Sequence, residues 1–406
     1  MSLLFPFRAL RPAPEAAARV ASVPYDVVTA DEARALVKPE PLSFLRVTRA
    51  EIDLPPETPP YDARVYAQAV RNFEDLKRSA PMILDDEPSL YVYRLRMGAH
   101  EQTGLAGCVS VDEYDRGLIK KHEKTRPDKE DDRTRHMIEL RAQTGVVFLT
   151  YRASAEVNAI VRRVTAGAPL YDVAAPDGVR HELWRVAAAD VRALVDAFAA
   201  LPALYIADGH HRVASASRAR AELAAGSGRA SEADRFVAVA FPDTDVQILA
   251  YNRTVKDLAG ETPETLVAAL RAAGYGVTPG SPVPDRAGRV SMYLDGRWLT
   301  LELPAAPPGT PRAETLDADV LQRRVLEPFL KVGDPRSDKR LDFVGGIRGA
   351  AELECLVAGG RAAVAFSLFP VTIDDLMAIA DEGGIMPPKT TWFEPKLRDG
   401  LVTHLI

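Results

Sequence analysis

The stretch Leu204-Tyr205-Ile206-Ala207-Asp208-Gly209-His210-His211-Arg212 decides how this chain is read. A short apolar segment of β type ends in an Asp-Gly turn, and an Ala-rich segment over 213–223 then has helical composition. A strand that turns tightly into a helix start makes an anion site. The first helical N–H groups there have no intrahelical partner, and the helix dipole favours negative charge. Arg212 offers a planar fork for phosphate oxygens, and either imidazole offers a donor. Phosphate chemistry is therefore the leading expectation. The plainer alternative makes Asp208 a helix cap and the histidines ordinary polar residues. Two adjacent histidines project in different directions, which argues against a two-histidine metal site, and no His/Cys cluster supplies zinc ligands.

Outward from this stretch, strands and helices mix without a repeated βαβ rhythm, so the fold class expected is α+β. Helices are expected over 30–37, 61–78, 155–165, 190–200 (Asp190 as N-cap), 263–273 and 372–381. Hairpins should turn at Gly98-Ala99-His100, Pro176-Asp177-Gly178 and Asp295-Gly296, with a strand pair at 236–241 and 246–251 and a last hairpin at the C-terminus. The Pro-rich run 304–311 is a candidate boundary.

With 406 residues the chain exceeds one ordinary core, and two or three domains are expected. A hydrophobic fraction of 47% with 27% charged residues is that of a soluble globular protein. The net charge of −6 argues against a general nucleic-acid binder. The longest apolar runs are strand-sized, so no membrane span is expected. No basic segment followed by an apolar region opens the chain. The two cysteines, Cys108 and Cys355, lack metal-type spacing and are expected to be reduced, buried and inert, which fits a cytoplasmic setting.

Three further segments carry dense functionality. Lys120-Lys121-His122-Glu123-Lys124-Thr125-Arg126 reads either as a solvated charged face or as a general base, Glu123, kept ionised by flanking cations. Phe343-Val344-Gly345-Gly346-Ile347-Arg348-Gly349 is a tight turn or a second backbone cradle with Arg348 toward an anion. The run from Met386 to Lys396, with Lys389-Thr390-Thr391-Trp392-Phe393, is a binding loop or a Pro-stiffened connection over the core. No Walker loop, nucleophile elbow, zincin helix or dinucleotide fingerprint is present.

Together these segments look like a near full-length match to a conserved bacterial and archaeal family of uncharacterised proteins carrying the Ala207-Asp208-Gly209-His210-His211-Arg212 motif. A more distant resemblance is to the free-serine kinases of the ParB/sulfiredoxin superfamily, which carry a His-Glu pair, a Val-Asp-Gly-His-His-Arg motif and a C-terminal Pro-Lys-Thr-Thr. The counterparts here are His122-Glu123, Asp208 to Arg212 and Pro388-Lys389-Thr390-Thr391. That resemblance implies a ParB/sulfiredoxin-like core over 90–260, a family-specific N-terminal region over 1–89, and an α/β region over 261–406 completing the cleft. It implies a nucleotide-dependent phosphotransferase acting on a small hydroxylated metabolite such as free L-serine. Glu123, with His122, would serve catalysis. Asp208, Gly209, His210, His211 and Arg212 would hold the phosphates of ATP or ADP, and Lys389, Thr390 and Thr391 the acceptor. Mg²⁺ is expected with the phosphates, Asp208 its nearest carboxylate. The alternatives are a nucleotide-binding or NTP-hydrolysing regulator and a hydrolase of phosphorylated metabolites. The chain departs from the kinases in its first hundred or so residues, in the longer interval between Glu123 and Asp208, and in Trp392-Phe393 where Arg-His follows the threonines.

Overall fold

Strands that are apolar at nearly every position need cover on both faces. Val147–Tyr151, Leu204–Asp208 and Arg235–Pro242 are of this kind, almost wholly buried in an eight-stranded mixed sheet. The computed structural model describes residues 3–224 and 231–406. In spatial order the eight strands are Ile119–Lys120, Leu204–Asp208, Val147–Tyr151, Arg235–Pro242, His100–Ser110, Tyr91–Met97, Arg180–Arg185 and Tyr171–Ala174. Two pairings are parallel, Leu204 beside Ile119 and Ala238 beside Val147; the others are antiparallel.

The described chain forms two compact units, Met1–Val246 with Pro395–Ile406, and Gln247–Glu394. This differs from the three-part division expected. Residues 1–89 share the first unit with the eight-stranded sheet, and the last twelve residues return to it because Thr403–Leu405 pairs with Ala9–Pro12 in a four-stranded antiparallel sheet. The expected C-terminal hairpin is thus absent: Trp392–Glu394 pairs instead with Gln247–Leu249 in the second unit. The strands at 235–242 and 247–255 likewise do not pair with one another but belong to different units. The Pro-rich run 304–311 lies inside the second unit and bounds nothing.

The second unit is built on a six-stranded antiparallel sheet: Val277–Pro279, Arg297–Glu302, Arg289–Leu294, Val364–Leu368, Tyr251–Val255 and Leu341–Gly345. Its central hairpin turns where expected, with Asp295 and Gly296 both at positive φ (48° and 72°), as a two-residue turn between twisted strands requires. Gly345 and Gly346 are required by close packing. A Cβ on Gly345 would lie 2.7 Å from the Trp392 ring, and one on Gly346 would lie 2.5 Å from the Ala250 carbonyl.

Local signals placed most helices. Ala30–Val37 carries a Thr29/Glu32 capping box, and Ile373–Asp381 a Thr372/Asp375 box. Asp190 is an exception: Ala187 is the N-cap of Ala188–Ala199, and Asp190 sits in the first turn, paired with Arg163. That helix buries Leu194 and Phe198 against the main sheet, the Phe198 ring lying 5.0 Å from that of Tyr151. Cys108 is buried as expected, whereas Cys355 is exposed. No helix among the described residues is long and apolar enough to cross a membrane.

Phe198 is fully buried, so Phe198→Ala leaves a cavity in addition to the lost transfer free energy. Urea unfolding should show a loss of about 3–5 kcal/mol; a change below about 1 kcal/mol would contradict this account of the core.

Candidate functional site

Two segments far apart in sequence meet because their strands run parallel. Ile119 aligns with Leu204 and Lys120 with Tyr205, so the chain leaves both strands at the same edge of the sheet. His122-Glu123 and Asp208-Gly209-His210 therefore emerge side by side, where parallel strands place ligand-binding residues. A register shift between Ile206 and Asp208 against Val147–Tyr151 re-aims Asp208, as bulges do beside functional sites. Gly209 follows at φ 101°, a conformation open to glycine, and the helix His210–Ala224 begins at once.

The first three helical residues project about 100° apart, and each meets a different segment. His210 is buried: its Nε2 accepts a hydrogen bond from the His122 backbone N–H at 3.4 Å, and its ring meets the His122 ring edge-on at 4.4 Å. With Nε2 accepting, the proton sits on Nδ1, which faces Glu123 Oε2 at 3.8 Å. Burial, reinforced by His122, holds the His210 pKa well below its ordinary value, so it is a neutral ring at pH 7. Burial also lowers His122, to about 4, with Asp208 and the Ile206 carbonyl opposing. The Glu123 side chain is 35% exposed, so its carboxylate is reachable. His211 Nε2 accepts from the Arg126 N–H at 3.0 Å, tying the helix start to the loop before Pro127–Leu140. Farther along, Ser215 donates to the Glu130 carbonyl at 3.1 Å and Arg218 pairs with Asp131 at 2.6 Å, which locks these two helices together.

Arg212 turns inward, not toward an anion at the surface. Its side chain is 6% exposed and bonds Asp26 at 2.9 and 3.0 Å and the Val146 carbonyl at 2.6 Å. The Tyr25 ring lies 5.4 Å from the guanidinium. Burial alone would lower its pKa, but Asp26 and Tyr25 outweigh that and hold the charge firmly. The cavity it lines, with Tyr25 and Arg133, measures about 20 Å³, the room of roughly one water and too small for a phosphate. Buried Asp399 lies close enough to respond to that charge: burial raises it to about 7, while Arg212 opposes and Asp26 adds.

Asp208 Oδ2 accepts from Lys396 Nζ at 2.8 Å. Burial raises its pKa, yet Lys396 and Arg212 prevail and hold the carboxylate ionised. Among the described residues no group of three or more His, Cys, Asp or Glu is gathered to hold a metal. Magnesium that arrives with phosphates needs only one or two protein carboxylates, and Asp208, the one expected for it, is already engaged by the Lys396 ammonium. Lys389, Thr390 and Thr391 belong to the second unit. There Thr390 is buried and donates to the Pro387 carbonyl at 2.7 Å, and Lys389 lies over the Tyr251 ring.

Sequence reasoning missed Lys396 and Asp26 as site residues. Lys396 closes the near-terminal run already singled out, whereas Asp26 stands in a proline-rich N-terminal stretch without marked chemistry, and nothing local connects either to Asp208 or Arg212.

A family profile described as "Protein of unknown function (DUF1015)" matches residues 4–324. Among solved structures, a conserved hypothetical protein from Pyrococcus furiosus is 15% identical with a TM-score of 0.36, covering 74% of this chain and 95% of that one. A free serine kinase in complex with AMP is 14% identical with a TM-score of 0.37, covering 73% and 91%. SbnI with C-terminal truncation from Staphylococcus aureus is 14% identical with a TM-score of 0.38, covering 74% and 87%. No curated protein matches.

If Arg212 is a structural cation, Arg212→Met should destabilise the protein by about 3–5 kcal/mol in urea, the cost of breaking a buried pair; wild-type stability would restore it as a surface phosphate ligand. A second expectation concerns pH. Burial lowers His122 and His136 to about 4, His181 to about 3, and His210 further than its ordinary range. Unfolded histidines titrate near 6.5, so between pH 6.5 and 4 the unfolded chain binds more protons and stability falls as pH falls. Asp399, raised to about 7, acts oppositely from pH 7 downward, one group against four. Unfolding free energy should therefore drop from pH 7 to pH 5, at up to about 1.4 kcal/mol per pH unit for each uncompensated histidine. A flat profile over that range would refute the burial of these rings.

Proposed function

We propose that this chain, which belongs to the DUF1015 family of proteins of unknown function, binds a nucleotide and transfers a phosphoryl group to a small hydroxylated metabolite such as free L-serine. The observation that carries the proposal is the meeting of Glu123 with the His210 helix start, at 3.8 Å. A carboxylate within reach of solvent stands there at the positive end of a fifteen-residue helix dipole. That pairing suits a reaction in which an alcohol loses a proton while a phosphoryl group is held.

In this reading Glu123 Oε2 takes the hydroxyl proton as the acceptor oxygen bonds phosphorus, and the bond from phosphorus to the departing nucleotide oxygen breaks. Asp208 and Gly209 shape the turn, and the amides of His210 and His211 face the phosphates. Neutral His210 backs Glu123 without adding a charge that would pin it in a permanent ion pair. His122 positions His210. Arg212 acts from the interior by fixing the orientation of the first helical turn, and Lys396 contributes cationic charge beside Asp208. As part of the same reading, the part of the first unit from residue 90 to 246 is taken as ParB/sulfiredoxin-like, on the order of the His122-Glu123 and Asp208–Arg212 motifs. A magnesium ion, if used, arrives with the nucleotide phosphates; no step here runs through it.

Transfer from ATP or ADP to L-serine and related hydroxy acids should be measurable with the purified protein. Glu123→Gln should lower it about 10²–10⁴-fold, the contribution of a general base, with nucleotide affinity nearly unchanged. Full transfer by Glu123→Gln, or phosphate release that ignores every acceptor, would overturn the assignment.

A further inference from the structure

Arg253 lies on the strand Tyr251–Val255 of the second unit, between Val364–Leu368 and the edge strand Leu341–Gly345, and is 4% exposed. Its guanidinium donates to the carbonyl oxygens of Tyr251 and, at 3.4 Å, Pro388, and lies 5.4 Å from the Phe343 ring. Among the described residues no carboxylate pairs with it. Burial pulls its pKa down to about 10, only Tyr251 opposing, whereas buried Arg212 is held charged by Asp26. A guanidinium carries five N–H donors in a fixed fork, and a buried charge without a counter-ion is costly to keep.

The same residue lines a cavity of about 180 Å³, together with Tyr251, Thr315, Asp317, Asp375 and Thr390. Both aspartates are committed elsewhere. Asp317 accepts from the Gly288 N–H at 2.9 and 3.1 Å, and Asp375 accepts from the Thr372 N–H at 3.0 Å and from Arg312 at 2.9 Å. The volume is several times the roughly 30 Å³ share of one water, room for inorganic phosphate or an organic acid of a few carbons. We propose that this cavity is a binding site for a small oxyanion, a carboxylate or a phosphate group, held by the fork of Arg253. The oxyanion supplies the counter-charge that the chain itself does not. The proposal concerns the second unit alone and is independent of phosphoryl transfer at Glu123.

The test is the melting temperature of the full chain in sodium phosphate and, separately, sodium acetate, each against sodium chloride at matched ionic strength. Binding raises apparent stability by mass action, so the anion that fits should shift the wild-type midpoint upward with concentration. A response to phosphate alone identifies a phosphate group, and a response to acetate identifies a carboxylate. Arg253→Met should abolish the shift, and Glu123→Gln should keep it. Thr315→Trp, at an exposed lining position, obstructs the cavity while leaving Arg253 in place; it too should abolish the shift and serves if Arg253→Met does not fold. No shift with either anion overturns the proposal. So does a shift that survives Arg253→Met or Thr315→Trp, since the anion then binds elsewhere. Phosphoryl transfer is scored on a separate assay, so either reading can fail while the other stands.

Discussion

Arg212 keeps a full positive charge in the interior of the first unit, and the local architecture is arranged around satisfying it. Asp26 supplies the counter-charge, the Val146 carbonyl accepts a further bond, and the Tyr25 ring faces the guanidinium. Space for the side chain exists because residues 145 and 209 are glycines: a Cβ on either would come within 3.2–3.3 Å of Arg212 atoms. Once Arg212 is fixed inward, helical geometry sends His210 and His211 toward the 122–126 loop. Three consecutive side chains thereby join the N-terminal region, the charged loop and the central sheet to one helical turn.

Desolvation decides the electrostatic character of that turn. Charged imidazoles with few partners would be expensive in the interior, and both His122 and His210 give up the proton instead. The cationic character of that turn therefore comes from Lys396 and the helix start, not from the paired histidines. Neutral His210 still has a directional use, because its accepting Nε2 leaves Nδ1–H pointing to Glu123. The second unit solves the same problem differently. Its buried Arg253 leans on two carbonyls and an aromatic face and opens onto a cavity.

Features with short-range causes were legible beforehand. The helix Ala155–Thr165 and the turns at Gly98, Pro176-Asp177-Gly178 and Asp295-Gly296 stand where apolar period, capping residues and turn chemistry put them. Glu123 and the His210 helix start were also identifiable as chemistry-bearing. Features with long-range causes were not. The segment 247–249 has no local mark telling that its partner is Trp392–Glu394, nor does Thr403–Leu405 advertise pairing with Ala9–Pro12. The prolines of 304–311 mimic a linker although the unit runs through them. Asp190 had the chemistry of a cap, but the helix begins two residues earlier.

The residues alone determined the strand–turn–helix at 204–224, the α+β class and the reactive groups on offer, because each follows from the preferences of a few neighbouring residues. Only the tertiary structure decided which groups face one another and which way Arg212 points. Those outcomes depend on strand pairing and burial across more than eighty residues of sequence. A guanidinium reads the same in a sequence whether a phosphate or a buried aspartate awaits it.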